Sequence, residues 1–117
     1  MPRRKLPNVL KAVEALCYAV RSEESIQTRL LVSVTILGIA GYFKVTTSEW
    51  VALLFVCGLV LIVEVINTAL EELCDKLHPA HDQQIGLVKD LGGAASILAG
   101  ILAILTLALI FIPKVFG

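Results

Sequence analysis

Three stretches of the chain carry no charge: Leu30–Phe43, Trp50–Val63 and Leu91–Pro113. The charged residues gather before and between them. No other feature constrains the fold as strongly, because a helix needs ~20 mostly apolar residues to cross a hydrocarbon core of about 30 Å. The third stretch reaches that length unaided. The first two reach it only with polar flanks, Thr28–Arg29 before one and Glu64–Leu70 after the other, so some polar groups are expected at or just inside the membrane edge. Composition agrees: 57% of the 117 residues are hydrophobic and 17% charged, against ~45–50% and ~25% in soluble domains. The expected fold class is an all-α integral membrane protein of one domain with three transmembrane helices.

Ten basic and ten acidic residues cancel, which gives no reason to expect a nucleic acid partner. Their placement is informative. Arg3, Arg4, Lys5, Lys11, Arg21 and Arg29 precede the first span, Lys44 lies between spans one and two, and Lys76 and Lys89 lie between spans two and three. That bias places the N-terminus in the cytoplasm, with Lys114 working slightly against it. The first apolar run starts too late for a secretory signal, and no small-residue cleavage site follows it. Cys17, Cys57 and Cys74 fit no disulfide framework and read as small buried hydrophobes.

Leu6, Val9, Leu10, Val13, Leu16, Cys17 and Val20 recur at helical spacing, opposite Lys11, Glu14, Tyr18 and Arg21. After the basic Arg3–Lys5 this predicts an amphipathic surface helix over about 5–22, lying at the interface or packed on the other helices. The spans are expected at about 26–45, 48–77 and 90–113. Ser22 is a candidate cap for the first span, Thr47 or Ser48 for the second, and Trp50 a candidate interface anchor. Apolar positions from Ile62 to Leu77 keep helical spacing, so the second helix extends into the cytoplasm, ending near Pro79. Residues 80–88 read as a polar linker or short helix, and the third span opens at Asp90 or Leu91. Small residues crowd the cytoplasmic half of that span, from Gly92 to Ala103, and allow close helix approach.

Glu64, Asn67, Glu71 and Asp75 follow at spacings of three, four and four, on one helix face. Glu64 directly follows an apolar run, where a carboxylate is costly and calls for a partner or a function. Glu23 and Glu24 at the start of span one, and Lys89–Asp90 at the start of span three, arrive at the same membrane depth. Carboxylates gathered there repel unless a cation joins them, and Mg²⁺ favours a few carboxylates plus substrate phosphates. Lys89 at a helix N-terminus opposes the dipole, a conflict that a phosphate ligand would resolve. Two other readings stay open: interhelical ion pairs only, or a cation or proton pathway. Sheltering several carboxylates from lipid favours a homo-oligomer over a three-helix monomer. Cys74, His78, His81 and Asp82 have zinc-donor chemistry, but Pro79 interrupts them and an interfacial polar loop is the plainer reading. Gly92–Gly93 lacks the surroundings of a P-loop and reads as helix packing.

The run Glu64-Val65-Ile66-Asn67-Thr68-Ala69-Leu70-Glu71-Glu72-Leu73-Cys74-Asp75 resembles the signature E-x-x-N-[ST]-A-x-E-x-x-x-D of the prokaryotic diacylglycerol kinase family, small trimeric membrane kinases that include undecaprenol kinases. Lys89-Asp90 followed by small residues resembles its second motif, and the likeness covers nearly the whole chain. The resemblance implies a homotrimer in the bacterial inner membrane that phosphorylates a membrane lipid hydroxyl with Mg-ATP. Diacylglycerol, giving phosphatidic acid, is the first expectation; undecaprenol is the alternative. A cation-conducting assembly or a structural membrane protein is the rival class. By the same resemblance Glu64 is the general base and Asn67 joins the catalytic network. Glu71 and Glu23 hold the metal. Asn67, Lys89 and Asp90 surround the nucleotide phosphates, and Tyr18 and, less closely, Arg4 help to cover the nucleotide. A carboxylate partly withdrawn from water suits the base role. Two departures stand out. Relatives often read E-x-x-F-R where this chain has Glu23-Glu24-Ser25-Ile26-Gln27, and the 77–82 loop differs from the diacylglycerol kinase pattern.

Overall fold

The computed structural model describes residues 7–77 and 83–117. They form four helices: α1 Asn8–Ser22, α2 Glu24–Phe43, α3 Thr47–Leu77 and α4 Gln83–Phe116. The last three are long and apolar enough to cross a membrane. At ~1.5 Å per residue, α3 is about 46 Å long, well beyond a core of about 30 Å. The protein is therefore a multi-pass, all-helical membrane protein with three spans and an N-terminal helix.

The helices make a thin layer, 52 × 37 × 20 Å, in which α3 packs chiefly on α4, then on α2, while α1 touches mainly α2. Only 11% of the apolar window of α4 is buried, so most of that helix faces lipid or other protein. Along α1, Val9, Leu10, Val13 and Leu16 stand about half exposed or more. Its apolar face is thus not packed into the bundle, the arrangement of a helix lying on an apolar surface outside the chain.

One residue, Glu23, in extended conformation (φ −101°, ψ 112°), separates α1 from α2. Ser22 does not cap α2 as expected: its hydroxyl donates back to Tyr18 O at 2.8 Å, within α1. Gln27 joins the two helices. Its Nε2 donates to Val20 O at 2.9 Å and Arg21 O at 3.0 Å, satisfying carbonyls that the end of α1 leaves open. α2 ends in a Schellman-type turn, with Val45 N donating to Ala40 O and Lys44 in the left-handed region at φ 54°. α3 is capped one residue earlier than expected, by Thr46 rather than Thr47 or Ser48. Thr46 Oγ1 accepts from Glu49 N at 3.2 Å, and Glu49 Oε1 accepts from Thr46 N at 2.9 Å, a reciprocal capping box. Lys114 Nζ reaches the same Glu49 oxygen at 2.9 Å and ties the end of α4 to the start of α3.

The apolar core lies at this end: Ala40, Val45, Leu53 and Ile110, flanked by Trp50 and by Phe43 stacked edge-on against Phe111. Trp50 is half-buried against that cluster. α4 differs from the expected third span at both ends. It opens at Gln83, because no proline lies between Gln83 and Leu91 and Gly86 alone only weakens a helix, and it runs through Pro113 to Phe116. A proline so near the end removes one intrahelical bond and leaves the last turn intact.

Candidate active site

The opposite end of the layer is polar. The N-terminal turns of α2, the second half of α3 and the first half of α4 meet there. Two of the three polar side chains buried among the described residues, Glu64 and Asn67, lie one turn apart on α3; Ser33 is the third. The stripe predicted from spacing is graded along its length. Glu64 and Asn67 are buried at 4% and 7% exposure, whereas Glu71 and Asp75 are exposed.

Three helices converge on Glu64. Arg29 Nε, from α2, pairs with its Oε1 at 3.1 Å, and Ser96 Oγ, from α4, donates to the same oxygen at 3.2 Å. Sequence reasoning missed both partners. It counted Arg29 as a flanking charge and Ser96 among the small packing residues. The available signal was opposite charge at equal depth on antiparallel neighbours.

Asn67 Nδ2 donates to Glu71 Oε1 at 2.9 Å. Its Oδ1 is buried and has no hydrogen-bond partner among the described residues; it lies against α4 at Gly92, where a Cβ would collide with it. An unpaired buried acceptor is costly, so Oδ1 fits a donor brought by a ligand or a water. Lys89 Nζ donates to Asp75 Oδ1 at 2.8 Å, both groups being largely exposed. Because α4 begins at Gln83, Lys89 lies in the second turn and does not oppose the first N–H groups of the helix. The dipole argument for a phosphate there no longer holds, and Asp75 accounts for the position of the ammonium group.

A groove of about 720 Å³ runs between α1 and α3, lined by Tyr18, Glu23, Ile26, Thr68 and Glu72 among others. Tyr18 and Glu23 therefore share a wall, and the acid that faces Glu23 across it is Glu72, not Glu71. Among the described residues no group of three or more His, Cys, Asp or Glu side chains is placed to hold a metal. Asp90 is exposed at the outer end of this region. Arg4 and the His78, His81 and Asp82 positions lie outside the described residues.

These features define a small membrane protein with three spans, whose polar groups are collected at one edge of the apolar layer and graded from buried to exposed. The model of the family described as prokaryotic diacylglycerol kinase matches residues 11–111, and the chain belongs to that family. It is 35% identical over 68 residues to the diacylglycerol kinase of Escherichia coli strain K12, covering 58% of this chain and 56% of that protein. It is 31% identical over 81 residues to the diacylglycerol kinase of Pseudomonas aeruginosa strain PAO1, covering 69% and 66%. The chain thus spans less than two thirds of the length of these curated relatives.

Proposed function

We propose that the protein transfers the γ-phosphoryl group of ATP to the hydroxyl of a membrane lipid, diacylglycerol first, to give phosphatidic acid. The observation that carries this reading is the grading of one α3 face from buried Glu64 and Asn67 to exposed Glu71. A lipid alcohol arrives from the hydrocarbon and a nucleotide from water, and such a face serves both. Glu64 accepts the hydroxyl proton. Asn67, bonded to Glu71 and with Oδ1 open, holds the reacting groups in register. Lys89 and Asp90 lie along the phosphates. Tyr18 covers the nucleotide over the α1–α3 groove, and the family resemblance gives Arg4 a part in the same task.

Glu71, which carries the Asn67 bond, would hold Mg²⁺, and the family resemblance adds Glu23, although in this structure Glu23 shares its groove with Glu72 rather than Glu71. Carboxylate oxygens suit a hard cation that takes one or two of them plus substrate phosphates, so a cluster of three acids is not required. When bound, the ion neutralises charge on the transferring phosphoryl group. The positive bias supports a cytoplasmic N-terminus and edge, and family membership supports the bacterial inner membrane as the location. Family membership supports a homotrimer, and the exposed apolar surface of α4 leaves room for neighbouring copies as well as lipid.

Undecaprenol is the alternative acceptor, and one observation keeps the choice open. Ile26 is buried at the wall shared by the α1–α3 groove and the apolar groove beside it, and Gln27 serves to cap α1. Both replace residue types usual in relatives, so the lipid pocket differs there. Transfer from labelled ATP into a panel of membrane alcohols tests the class and chooses the acceptor. Ion flux into liposomes without ATP, and no transfer, would replace the kinase reading with a conducting assembly. Neither activity would leave a structural protein.

A further inference from the structure

Glu64 is held from two sides at one oxygen. Arg29 Nε and Ser96 Oγ both address Oε1, and among the described residues no donor reaches Oε2. The terminal torsion of a glutamate is broad and roughly two-fold, so an unanchored carboxylate presents either oxygen. Here the anchors come from two different helices. Arg29 is itself fixed: its Nη1 donates to Ser25 O at 3.3 Å, one turn back on α2. The guanidinium is rigid and planar, so bonds at Nε and Nη1 set its plane as well as its position. Its side chain is 36% exposed, against 5% for Glu64. The cation thus forms the outer wall of the pair, and the carboxylate lies behind it.

We propose that Arg29 is the positioning residue for Glu64 in phosphoryl transfer. By occupying Oε1 together with Ser96, it leaves Oε2 as the oxygen that takes the proton of the membrane alcohol. The inference rests on reading Glu64 as the base. In the step, the alcohol O–H bond breaks and its proton passes to Oε2. The alcohol oxygen bonds to the γ-phosphorus as the bond from that phosphorus to the bridging oxygen breaks, and ADP leaves with the electron pair. Arg29 neither gains nor loses a proton and stays ion-paired with Oε1 before and after. Lysine cannot replace it fully, because a single ammonium lacks the planar guanidinium that faces Oε1 while its Nη1 donates to Ser25 O.

The test uses the full-length protein in lipid–detergent micelles, with ATP and diacylglycerol. The readouts are kcat, the KM for Mg-ATP and the melting temperature. Arg29→Met keeps most of the stem and removes the donors. It is expected to lower kcat ~10–100-fold, the scale of a misplacement of about 1 Å, with the KM for Mg-ATP within about two-fold. Arg29→Lys should recover part of kcat, and Ser96→Ala should lower kcat less than Arg29→Met does. The double variant Arg29→Met/Glu64→Gln should be no slower than Glu64→Gln alone, since a positioning residue has nothing left to position.

Wild-type kcat in Arg29→Met, a loss that appears in KM, or losses that multiply in the double variant would each overturn the inference. So would losses of kcat that track melting temperature across the series. If Arg29→Met does not fold, Arg29→Lys and Ser96→Ala decide, and full kcat in both overturns it. An inactive Glu64→Gln beside an active Arg29→Met sinks only the role of Arg29. An active Glu64→Gln sinks the base reading, and this inference with it.

Discussion

Replacing Gly92 by alanine should disturb the candidate site more than any other single added methyl group on α4. A Cβ there would overlap Asn67 Oδ1 and come within 3.6 Å of Leu70 Cδ1. A clash with the tip of a side chain is cheap if the tip can swing away. Asn67 cannot do so freely, because it is buried and its Nδ2 is bonded to Glu71 Oε1 at 2.9 Å. Turning it breaks a hydrogen bond to a charged group, ~1.5–3 kcal/mol. Parting α3 from α4 instead carries an overpacking cost of ~1–3 kcal/mol. Alanine returns up to ~1 kcal/mol over glycine in a helix interior. The net loss should be about 1–2 kcal/mol. Gly93→Ala and Gly100→Ala are the controls, since nothing lies within 4 Å of a Cβ at either position. They should be neutral or slightly stabilising. Thermal melting in detergent measures the first effect. ATP-to-lipid transfer measures the second and should fall by ~10–100-fold in Gly92→Ala alone, as Asn67 and Glu71 leave register. If Gly92→Ala melts and turns over like Gly93→Ala, the close approach of α3 and α4 at Asn67 is not a constraint, and the role given to Asn67 loses its support.

Glu64→Gln should cut transfer by ~10²–10⁴ with little change in nucleotide affinity, while Glu71→Gln should weaken Mg-ATP binding as well, partly restored by raised Mg²⁺; the opposite pattern in binding assays would reverse the two roles. Thr46→Ala removes the hydroxyl that caps α3 and should cost about 1 kcal/mol in a melting experiment. It should leave transfer intact, because that end is remote from Glu64. Lys44→Gly relieves a side chain held at φ 54° and should stabilise the protein by up to ~1 kcal/mol, the left-handed penalty less glycine's greater loss of chain freedom. A lower melting temperature there would mean that the Lys44 side chain contributes more than its backbone costs.

The three spans were legible in the sequence because the absence of charge over a span is a one-dimensional signal. The shared face of Glu64, Asn67, Glu71 and Asp75 was legible for a similar reason, since spacing along one helix fixes direction. What lies between helices was not. The Arg29–Glu64 pair depends on the depth at which α2 and α3 meet, and periodicity within either helix does not encode that depth. The Asp75–Lys89 pair raises the same problem across a loop. That Gln83–Asp90 continues α4 as one helix, the short-helix reading rather than the linker, was not decided by sequence, because polar Gln83, Gln84, Lys89 and Asp90 and a glycine at 86 look like a linker as readily as a helix. The two cap positions were misread by small shifts: Ser22 turned back into its own helix, and the reciprocal bonds of the capping box fell on Thr46 and Glu49.

The corner at Glu23 has a mechanical consequence. Gln27 spans it with two hydrogen bonds, so α1 and the first turns of α2 behave as one bracket. α2 is a candidate membrane span whose tilt is set by its packing on α3, and α1 is the arm joined to it at this corner. Any change in the angle between this bracket and α3 would therefore alter the width of the groove that Tyr18 and Glu23 line with Thr68 and Glu72.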